Sequence, residues 1–520
     1  MQPAFTPQDR DLYRQRGGEP DELDRQLSIL RSPPPPIRLL RACRLGDGIE
    51  TLEVAAHRKV GDQPPGSSPL PVKFVPASGA ATRMFSFLPP QRTSGSLSLD
   101  TLRELDAGGD AAAHATLELL QNIDRLAVFP QLEALVRELD GGDWRDLRQR
   151  DPGLLLQLLV DRPGLALAER AKGLLPFHRH AGGSRTAFEE HLLEGVGYLT
   201  DGVAPARFHF TIAAEHEDAF RALAAKTIPL MASQTGVAVE IEFSLQNPRT
   251  DTVAIDSDGR PVRNEDGTLL FRPAGHGSLL DNLARLARDG CGAVFLKNID
   301  NVAPAARHAS IARSKRHLAA HLTNLRSRAF ELLDELDADE PQSMAAAADF
   351  LTREFAYHLP HDFGRIDDSR RLHFLRDRLD RPARVCGVVL NRGEPGGGPF
   401  WISREDGSID GQIVEAAQVD LEDSAQREIW SSSSHFNPVD IVCVLHDRRG
   451  EPYDLARFVD PSTSLVAGKM HQGEPIKVLE RPGLWNGAMA GWNTVFLEVP
   501  EETFTPVKTL LDLLRPAHQP

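Results

Sequence analysis

Cysteine is scarce in this sequence, and its placement excludes two kinds of protein. The four cysteines lie far apart along 520 residues and form no C-x-x-C pair: Cys43, Cys291, Cys386 and Cys443. This usage excludes a small secreted scaffold framed by disulfides and disfavours a structural zinc site. We expect four reduced, buried thiols in a cytoplasmic protein.

The sequence also lacks an excess of basic residues and any long apolar run. The 59 Lys and Arg are outnumbered by 74 Asp and Glu, so the formal net charge is −15 at pH 7. A general nucleic-acid-binding protein usually has a basic excess. No apolar stretch approaches the roughly 20 residues that a membrane-spanning helix needs, and the N-terminus has no signal-peptide core. The sequence therefore predicts neither a nucleic-acid partner nor a membrane partner.

What is present is an alternating pattern of strands and helices. From Val72 onward, short β-branched runs alternate with stretches of helical periodicity, which predicts an α/β fold with a mixed, mostly parallel sheet. Residues 99–170 and 306–358 are rich in Leu, Ala, Glu and Arg at helical spacing and are interpreted as two helical insertions. Buried strands are predicted at residues 72–75, 207–211, 238–244, 293–297, 384–390 and 441–445.

Changes in composition divide the chain into successive parts. Residues 1–62 form an N-terminal extension that begins with two predicted helices, the first starting at Thr6-Pro7. A Pro-, Gly- and Ser-rich linker, Gln63–Pro71, separates this extension from a core over residues 72–305. The second helical insertion is assigned to residues 306–380, and residues 384–520 complete the core.

The first candidate site is the loop after the apolar run Val72–Val75. It consists of small residues and ends in a cation: Ser78, Gly79, Ala80, Ala81, Thr82 and Arg83. Small side chains let backbone N–H groups approach a phosphate closely, and a helix N-terminus with an arginine adds positive charge. Strand–Gly–helix turns that bind nothing have the same pattern, so the loop gains weight only with partners elsewhere in the chain.

Two later segments carry residues that such a phosphate site needs. Lys172 precedes Gly173 and a short apolar run, where an ordinary surface lysine would look the same. Asp300 follows the predicted strand 293–297, and the carboxyl ends of parallel strands are where α/β sheets bind ligands. One such carboxylate can anchor Mg²⁺ together with substrate phosphates, although a helix-capping aspartate fits the position equally well.

Two further segments are weaker signals by themselves. Gly275, His276 and Gly277 form a small-residue loop that could lie flat against a base or a ribose, or could be a tight turn. Lys508 follows Pro506-Val507 near the C-terminus and matters only through its order after the other segments.

In this order the segments resemble the nucleotide-sugar pyrophosphorylases, and within them the UDP-glucose and UDP-N-acetylhexosamine pyrophosphorylases. The resemblance covers roughly residues 72–510. The matching segments are Gly79–Arg83, Lys172-Gly173, Gly275-His276-Gly277, Ile299-Asp300-Asn301, Pro506-Val507-Lys508 and Phe243–Gln246. Ala81 stands where that family has a second glycine, and Ala171 stands where it has a proline.

The sequence also resembles a bacterial family of large nucleotidyltransferase-like proteins known as a domain of unknown function. That resemblance rests on the segments Val75–Met84, Phe271–Gly277, Lys297–Val302, His435–Asp440 and Trp485–Met489. It brings no assigned reaction.

The pyrophosphorylase resemblance implies a Rossmann-like GT-A nucleotidyltransferase core. It also implies a Mg²⁺-dependent reaction that joins a nucleoside triphosphate to a sugar-1-phosphate or a similar phosphate, with release of pyrophosphate. Arg83 and the loop amides would hold the triphosphate, Lys172 the α-phosphate and Lys508 the sugar phosphate. The remaining roles concern the base and the metal: Gly275 to Gly277 and Gln246 near the base or sugar, Asp300 as a metal ligand, and Asn437 or Asp440 as a second one.

Two alternative functions remain open at this stage. A protein that keeps the fold and binds nucleotide but has lost turnover would act as a sensor or scaffold. A GT-A glycosyltransferase would need an Asp-x-Asp metal motif, and Asp256-Ser257-Asp258 has that form, although Gly259 after it favours a hairpin turn.

The segment Trp485–Asn493 could stack a sugar or a base, or could close the core.

Overall fold

The computed structural model describes residues 4–52, 71–90, 92–394, 396–437 and 440–519. The predicted linker Gln63–Pro71 lies outside these ranges except for Pro71. The α-helices are α1 Pro7–Gln15, α2 Asp21–Arg31, α3 Leu99–Ala107, α4 Ala111–Asn122, α5 Phe129–Asp140, α6 Trp144–Arg150, α7 Pro152–Val160, α8 Ala187–Leu199, α9 Glu217–Thr235, α10 Leu280–Arg288, α11 His308–Asp337, α12 Ser343–Glu354, α13 Asp368–Leu379 and α14 Ser424–Ser431.

The strands are distributed over most of the described chain. They are β1 Leu39–Ala42, β2 Arg44–Leu45, β3 Gly48–Thr51, β4 Val72–Pro76, β5 Pro176–His180, β6 Gly183–Thr186, β7 Ala206–Ile212, β8 Val239–Leu245, β9 Thr252–Ile255, β10 Phe271–Arg272, β11 Val294–Leu296, β12 Tyr357–His358, β13 Ala383–Val388, β14 Gly397–Ser403, β15 Ile409–Glu415, β16 Asp440–Val444, β17 Leu465–His471, β18 Glu474–Glu480 and β19 Asn493–Glu498.

The chain folds into two compact units, each built from separate stretches of sequence. Unit 1 comprises residues 1–72, 246–296 and 314–499, and unit 2 comprises residues 73–245, 297–313 and 500–520. The N-terminal extension thus belongs to the same unit as most of the C-terminal half, and the last residues of the chain belong to unit 2.

Unit 1 carries a mixed sheet with the strand order β2-β3-β19-β13-β16-β11. The pairs β2–β3, β3–β19 and β13–β19 are parallel, whereas β13–β16 and β11–β16 are antiparallel. Strand β13 is buried along its whole length, because it lies inside this sheet and presents apolar residues to both faces. The predicted α/β fold with a mostly parallel sheet is confirmed.

The N-terminal helices pack into unit 1. Helix α1 begins at Thr6 with a reciprocal capping box to Asp9, as the sequence predicts. Leu23, Leu27 and Leu30 of α2 are buried in one apolar cluster with side chains of β9 and β18, so the helix contributes to the core of this unit.

Unit 2 contains the strand order β4-β7-β8 and all of the first helical insertion. Strands β7 and β8 are parallel, and α9 connects them, which is the expected βαβ arrangement. Strand β7 is almost entirely buried, but β8 alternates between buried and exposed residues because it ends the strand order. The prediction of a fully buried strand at residues 238–244 is therefore wrong.

Candidate functional site

The loop after β4 lies in unit 2 and exposes backbone where the sequence predicts a phosphate cradle. Gly79 and Ala80 are exposed, and a Cβ added at Gly79 would meet no atom within 4 Å. Ala81 is fully buried, so its methyl group points away from the exposed part of the loop. The alanine found in place of a second glycine therefore leaves the exposed face of the loop open.

The helix that follows the loop is shorter than the sequence suggests. Residues Ala81–Phe85 form a 3-10 helix of five residues, so its dipole adds little positive potential. Arg83 compensates with a full charge: its side chain is exposed and forms no ion pair with any residue that the structure describes. Thr82 is turned towards the protein and donates its hydroxyl to the carbonyl of Ala168 over 3.0 Å.

Lys172 is joined to this loop through the backbone. Its N–H donates to the carbonyl oxygen of Gly79 over 3.1 Å, and Ala80 pairs with Ala171 in an isolated antiparallel bridge. The N–H of Ala81 donates to the carbonyl of Arg170 over 2.9 Å. These bonds fix the Lys172 backbone beside the exposed loop.

Asp300 collects two lysines that lie far apart in the sequence. The Nζ of Lys172 and the Nζ of Lys508 lie 3.1 Å and 3.0 Å from the same oxygen, Oδ2 of Asp300. Lys172 also donates to the carbonyl of Val507 over 3.1 Å. The backbone holds the two segments together, because Val507 donates its N–H to the carbonyl of Asp300 over 3.0 Å.

The electrostatics of this cluster keep Asp300 ionised. Burial opposes the charged form, but attraction by Lys508 and Lys172 outweighs burial, so the pKa of Asp300 lies below its ordinary value. Two ammonium groups face one carboxylate, and the cluster carries a net positive charge. Such a cluster can attract a polyphosphate.

The second carboxylate oxygen of Asp300, Oδ1, shows whether this residue suits a metal ion. Asp300 is only 8% exposed, and its buried Oδ1 has no hydrogen-bond partner among the residues that the structure describes. A buried carboxylate oxygen without a donor is costly unless a ligand completes it, and Mg²⁺ prefers such oxygens. One carboxylate oxygen fits a magnesium ion that takes its other ligands from phosphates and water. Within the described ranges, no group of three or more His, Cys, Asp or Glu is arranged to hold a metal.

A buried ion triad lies in the same unit and involves residues close in sequence to the site. Glu194 of α8 accepts from Lys73 of β4 over 2.9 Å and from Lys297, which follows β11, over 2.7 Å. All three side chains are almost completely buried. Lys73 lies five residues before Ser78, and Lys297 lies three residues before Asp300.

The same helix also contacts the backbone next to Asp300. The ring Nε2 of His191 lies 3.1 Å from the carbonyl oxygen of Asn298 and 3.2 Å from that of Ile299. Burial, reinforced by Lys73, lowers the pKa of His191 well below its ordinary value, so the ring is neutral and donates from Nε2. Helix α8 thus positions the segment that presents Asp300.

The predicted base-binding loop lies in unit 1. Gly275 has a φ of 75°, which favours glycine, and a Cβ at Gly277 would collide with the carbonyl oxygen of Pro482. His276 stacks on Trp485 with 4.5 Å between ring centroids and accepts the N–H of Leu484 at Nδ1 over 2.9 Å. The loop is therefore held by the unusual Trp-containing segment of the sequence.

Three further predicted site residues lie in unit 1: Gln246, Asn437 and Asp440. Gln246 directly follows β8 and is half-buried, and its amide Nε2 donates to no described residue. The two candidate second metal ligands are Asn437, which is half-buried, and Asp440, which is fully buried. Lys315 forms an ion pair with Oδ1 of Asp440. Their roles towards the base and a metal stay predictions.

The interpretation of Asp256-Ser257-Asp258 as part of a hairpin turn is confirmed. The N–H of Gly259 donates to the carbonyl of Asp256 over 3.1 Å, and the Oδ1 of Asp256 accepts the N–H of Asp258 over 2.9 Å. Asp256 thus stabilises the hairpin that follows β9.

The structure brings together four of the sequence-predicted elements in unit 2. These are the loop Ser78–Arg83, Lys172, Asp300 and Lys508. The sequence analysis missed Lys73, Glu194 and Lys297. A signal for the two lysines exists, since each interrupts or ends an otherwise apolar strand pattern, but nothing in the sequence pairs them with Glu194.

Comparison with protein families assigns the chain to one of them. Residues 6–519 match the family described as Domain of unknown function (DUF4301). The chain belongs to this family, as the sequence motifs predict. No curated protein matches the sequence.

Comparison with solved structures gives similar folds at low identity. A variant of UDP-glucose pyrophosphorylase from Leishmania major, in complex with UDP-Glc, is 13% identical with a TM-score of 0.48, over 98% of this chain and 79% of that one. A UDP-glucose phosphorylase from Trypanosoma brucei is 17% identical with a TM-score of 0.36, over 66% of this chain and 62% of that one. Both TM-scores lie below 0.5, so these similarities establish no function for this chain.

The buried triad generates a prediction about stability. Glu194→Gln leaves two buried ammonium groups without their shared anion, and we expect the free energy of unfolding to fall by about 3–5 kcal/mol. Urea denaturation of the full chain measures the change, with the exposed Glu215→Gln as a control that stays within about 0.5 kcal/mol of wild type.

A compensated variant sharpens this test. The triple change Lys73→Met, Glu194→Leu and Lys297→Met removes all three charges and should recover most of the lost stability, because a well-packed apolar triad avoids the desolvation of ions. Wild-type stability in Glu194→Gln would contradict the proposed dependence of unit 2 on this anion.

The depressed pKa of Asp300 generates a prediction about pH. Ionised Asp300 stabilises the folded state above its unfolded-state pKa, and this contribution is lost as pH falls through the lower folded-state pKa. We expect Asp300→Asn to be less stable than wild type at neutral pH. The difference should shrink as pH falls below the ordinary aspartate pKa of about 4 and through the lower folded-state pKa. The measurement is the free energy of unfolding against pH, with the exposed Asp218→Asn as a control. A difference that does not change with pH would contradict the assignment.

Proposed function

We propose that the protein is a Mg²⁺-dependent nucleotidyltransferase. It would join a nucleoside triphosphate to a sugar-1-phosphate or a similar phosphate and release pyrophosphate. The observation that carries this proposal is the convergence of Lys172 and Lys508 on Asp300, beside an exposed loop that ends in Arg83. The sequence resemblance to nucleotide-sugar pyrophosphorylases supports the choice of reaction.

The proposed reaction is a displacement at phosphorus. An oxygen of the sugar phosphate attacks the α-phosphorus, a new P–O bond forms, and the bond from the α-phosphorus to the bridging oxygen of the β-phosphate breaks. The electron pair of that bond leaves with pyrophosphate. Because no proton must be moved by the protein, its work is to hold the phosphates in line and to neutralise their charge.

The described residues of unit 2 suit this work. Exposed backbone at Gly79 and Ala80 offers N–H groups to the triphosphate, and the exposed Arg83 adds a fork of donors. Lys172 stabilises charge at the α-phosphate, and Lys508, which is 56% exposed at its side chain, reaches the incoming sugar phosphate. Without substrate, both lysines contact the carboxylate of Asp300. A polyphosphate carries more negative charge than this carboxylate and would attract both lysines more strongly.

Magnesium would be held at Asp300, whose buried Oδ1 accepts no hydrogen bond from the described part of the chain. When bound, it would supply positive charge to the reacting phosphate oxygens. In unit 1, we propose that Gly275 to Gly277 and Gln246 contact the base or the sugar. Either Asn437 or Asp440 stays the proposed second ligand, although Asp440 would first have to exchange Lys315 for a metal.

We place the reaction in the cytoplasm, where thiols stay reduced. All four cysteines are buried, and within the described ranges none of them forms a disulfide. Burial raises the pKa of Cys386 to about 11, which keeps that thiol protonated and unreactive. Among the described residues, no helix combines the length and the apolar character that crossing a membrane requires.

The testing experiment is pyrophosphate release from a panel of nucleoside triphosphates and sugar-1-phosphates, with and without Mg²⁺. We expect Lys172→Met, Lys508→Met and Asp300→Asn each to lower kcat/KM by roughly 10²-fold or more. The exposed Lys226→Met on α9 is the matched control and should keep wild-type turnover.

Two outcomes would overturn parts of the proposal. Turnover that survives Asp300→Ala would remove the metal assignment. Nucleotide binding without turnover across the whole panel would replace the enzyme by a nucleotide-binding sensor or scaffold of the same fold.

A further inference from the structure

A cleft in unit 1 contains a buried arginine that the fold does not satisfy. The cleft has a volume of about 790 Å³, and Arg378 of α13 is one of its lining residues. Only 7% of Arg378 is exposed, and its guanidinium forms no hydrogen bond to a described residue. A buried guanidinium with unused donors is destabilising unless something completes it.

The neighbours of Arg378 leave its charge largely uncompensated. Its nearest carboxylate oxygen, Oδ2 of Asp410, lies 3.7 Å away, and both oxygens of Asp410 already accept from the Nε of Arg404, at 2.9 Å and 3.1 Å. The guanidinium stacks on the ring of Tyr357, with 4.0 Å from Cζ to the centroid. Burial and the nearby Arg381 lower the pKa of Arg378 to about 10, against the weaker attraction of Asp410.

Four more arginines line the cleft, and two of them form no ion pair with a described residue. Arg38 and Arg457 are exposed and form no ion pair with any residue in the described ranges. Arg381 and Arg404 also line the cleft, but Asp377 pairs with the first and Asp460 with the second. Glu405 and Asp406 are the remaining acidic lining residues, and Asp406 accepts hydrogen bonds from Ser408.

We propose that this cleft is a binding site for a phosphate-bearing small molecule, with Arg378 as its buried anchor and Arg38 and Arg457 at its rim. The volume suits a small ligand and not a polymer. A phosphate accepts several hydrogen bonds at once, which matches the unused fork of a guanidinium. None of the lining residues belongs to the proposed nucleotidyltransferase site, so the ligand is a second one, independent of that reaction.

The test uses inorganic phosphate as the probe and the full-length chain. The background is Lys172→Met/Lys508→Met, which removes the lysines of the proposed catalytic cluster, so that bound phosphate reports on the cleft. Calorimetric titration at constant ionic strength, balanced with chloride, measures the affinity. In this background we expect saturable phosphate binding, about tenfold or more weaker in Arg378→Leu and several-fold weaker in Arg457→Ala. The exposed Arg449→Ala, outside the cleft, is the matched control and should bind like its background.

A stability readout accompanies the titration. Without phosphate, Arg378→Leu should be at least as stable as its background, because the change removes a buried charge. Added phosphate should raise the melting temperature of the background but not that of Arg378→Leu. Absence of phosphate binding in the background, or undiminished binding in Arg378→Leu, would overturn the proposal. If Arg378→Leu does not fold, the exposed variants Arg38→Ala and Arg457→Ala replace it. Weaker phosphate binding in them supports the proposal, and undiminished binding in both overturns it.

Discussion

The attraction of two ammonium groups to one buried carboxylate is the interaction on which the proposed site depends. Asp300 holds Lys172 and Lys508 through one oxygen, and the backbone bonds around Gly79 and Val507 place both lysines there. The carboxylate alone does not balance two cations. Such a surplus of positive charge beside an exposed glycine loop can attract an anion with several charges.

This arrangement is supported by a second, fully buried set of charges in the same unit. Glu194 binds Lys73 and Lys297, which belong to the segments that lead into the loop and into Asp300. A buried ion triad is weak evidence for stability, because desolvation opposes the attraction. Here the triad matters because it positions other segments. Through Glu194 and His191, helix α8 holds β4 and the segment after β11, which lead into the loop and into Asp300.

Much of this organisation could be predicted from the sequence, and the reasons for the exceptions are physical. The capping residue Thr6 and the aromatic and β-branched residues of β7 specify structure locally, so the start of α1 and the approximate range of β7 follow from the sequence. Local patterns cannot show which strand ends the order, so the half-exposure of β8 was missed. The partner of Asp440 lies 125 residues away in the chain, and no local signal links it to Lys315. The order of the motifs predicts that Lys172, Asp300 and Lys508 lie close together, and the structure joins the two lysines to one oxygen of Asp300.

Direct binding of a nucleoside triphosphate is the measurement that tests the central claim. Calorimetric titration of the full chain with each nucleoside triphosphate and Mg²⁺ should give saturable binding to wild type. In Lys172→Met/Lys508→Met that binding should be weaker by at least about 10²-fold, since two charged contacts to phosphate are lost. Equal affinity in the double variant, or no binding of any nucleoside triphosphate to wild type, would contradict the account.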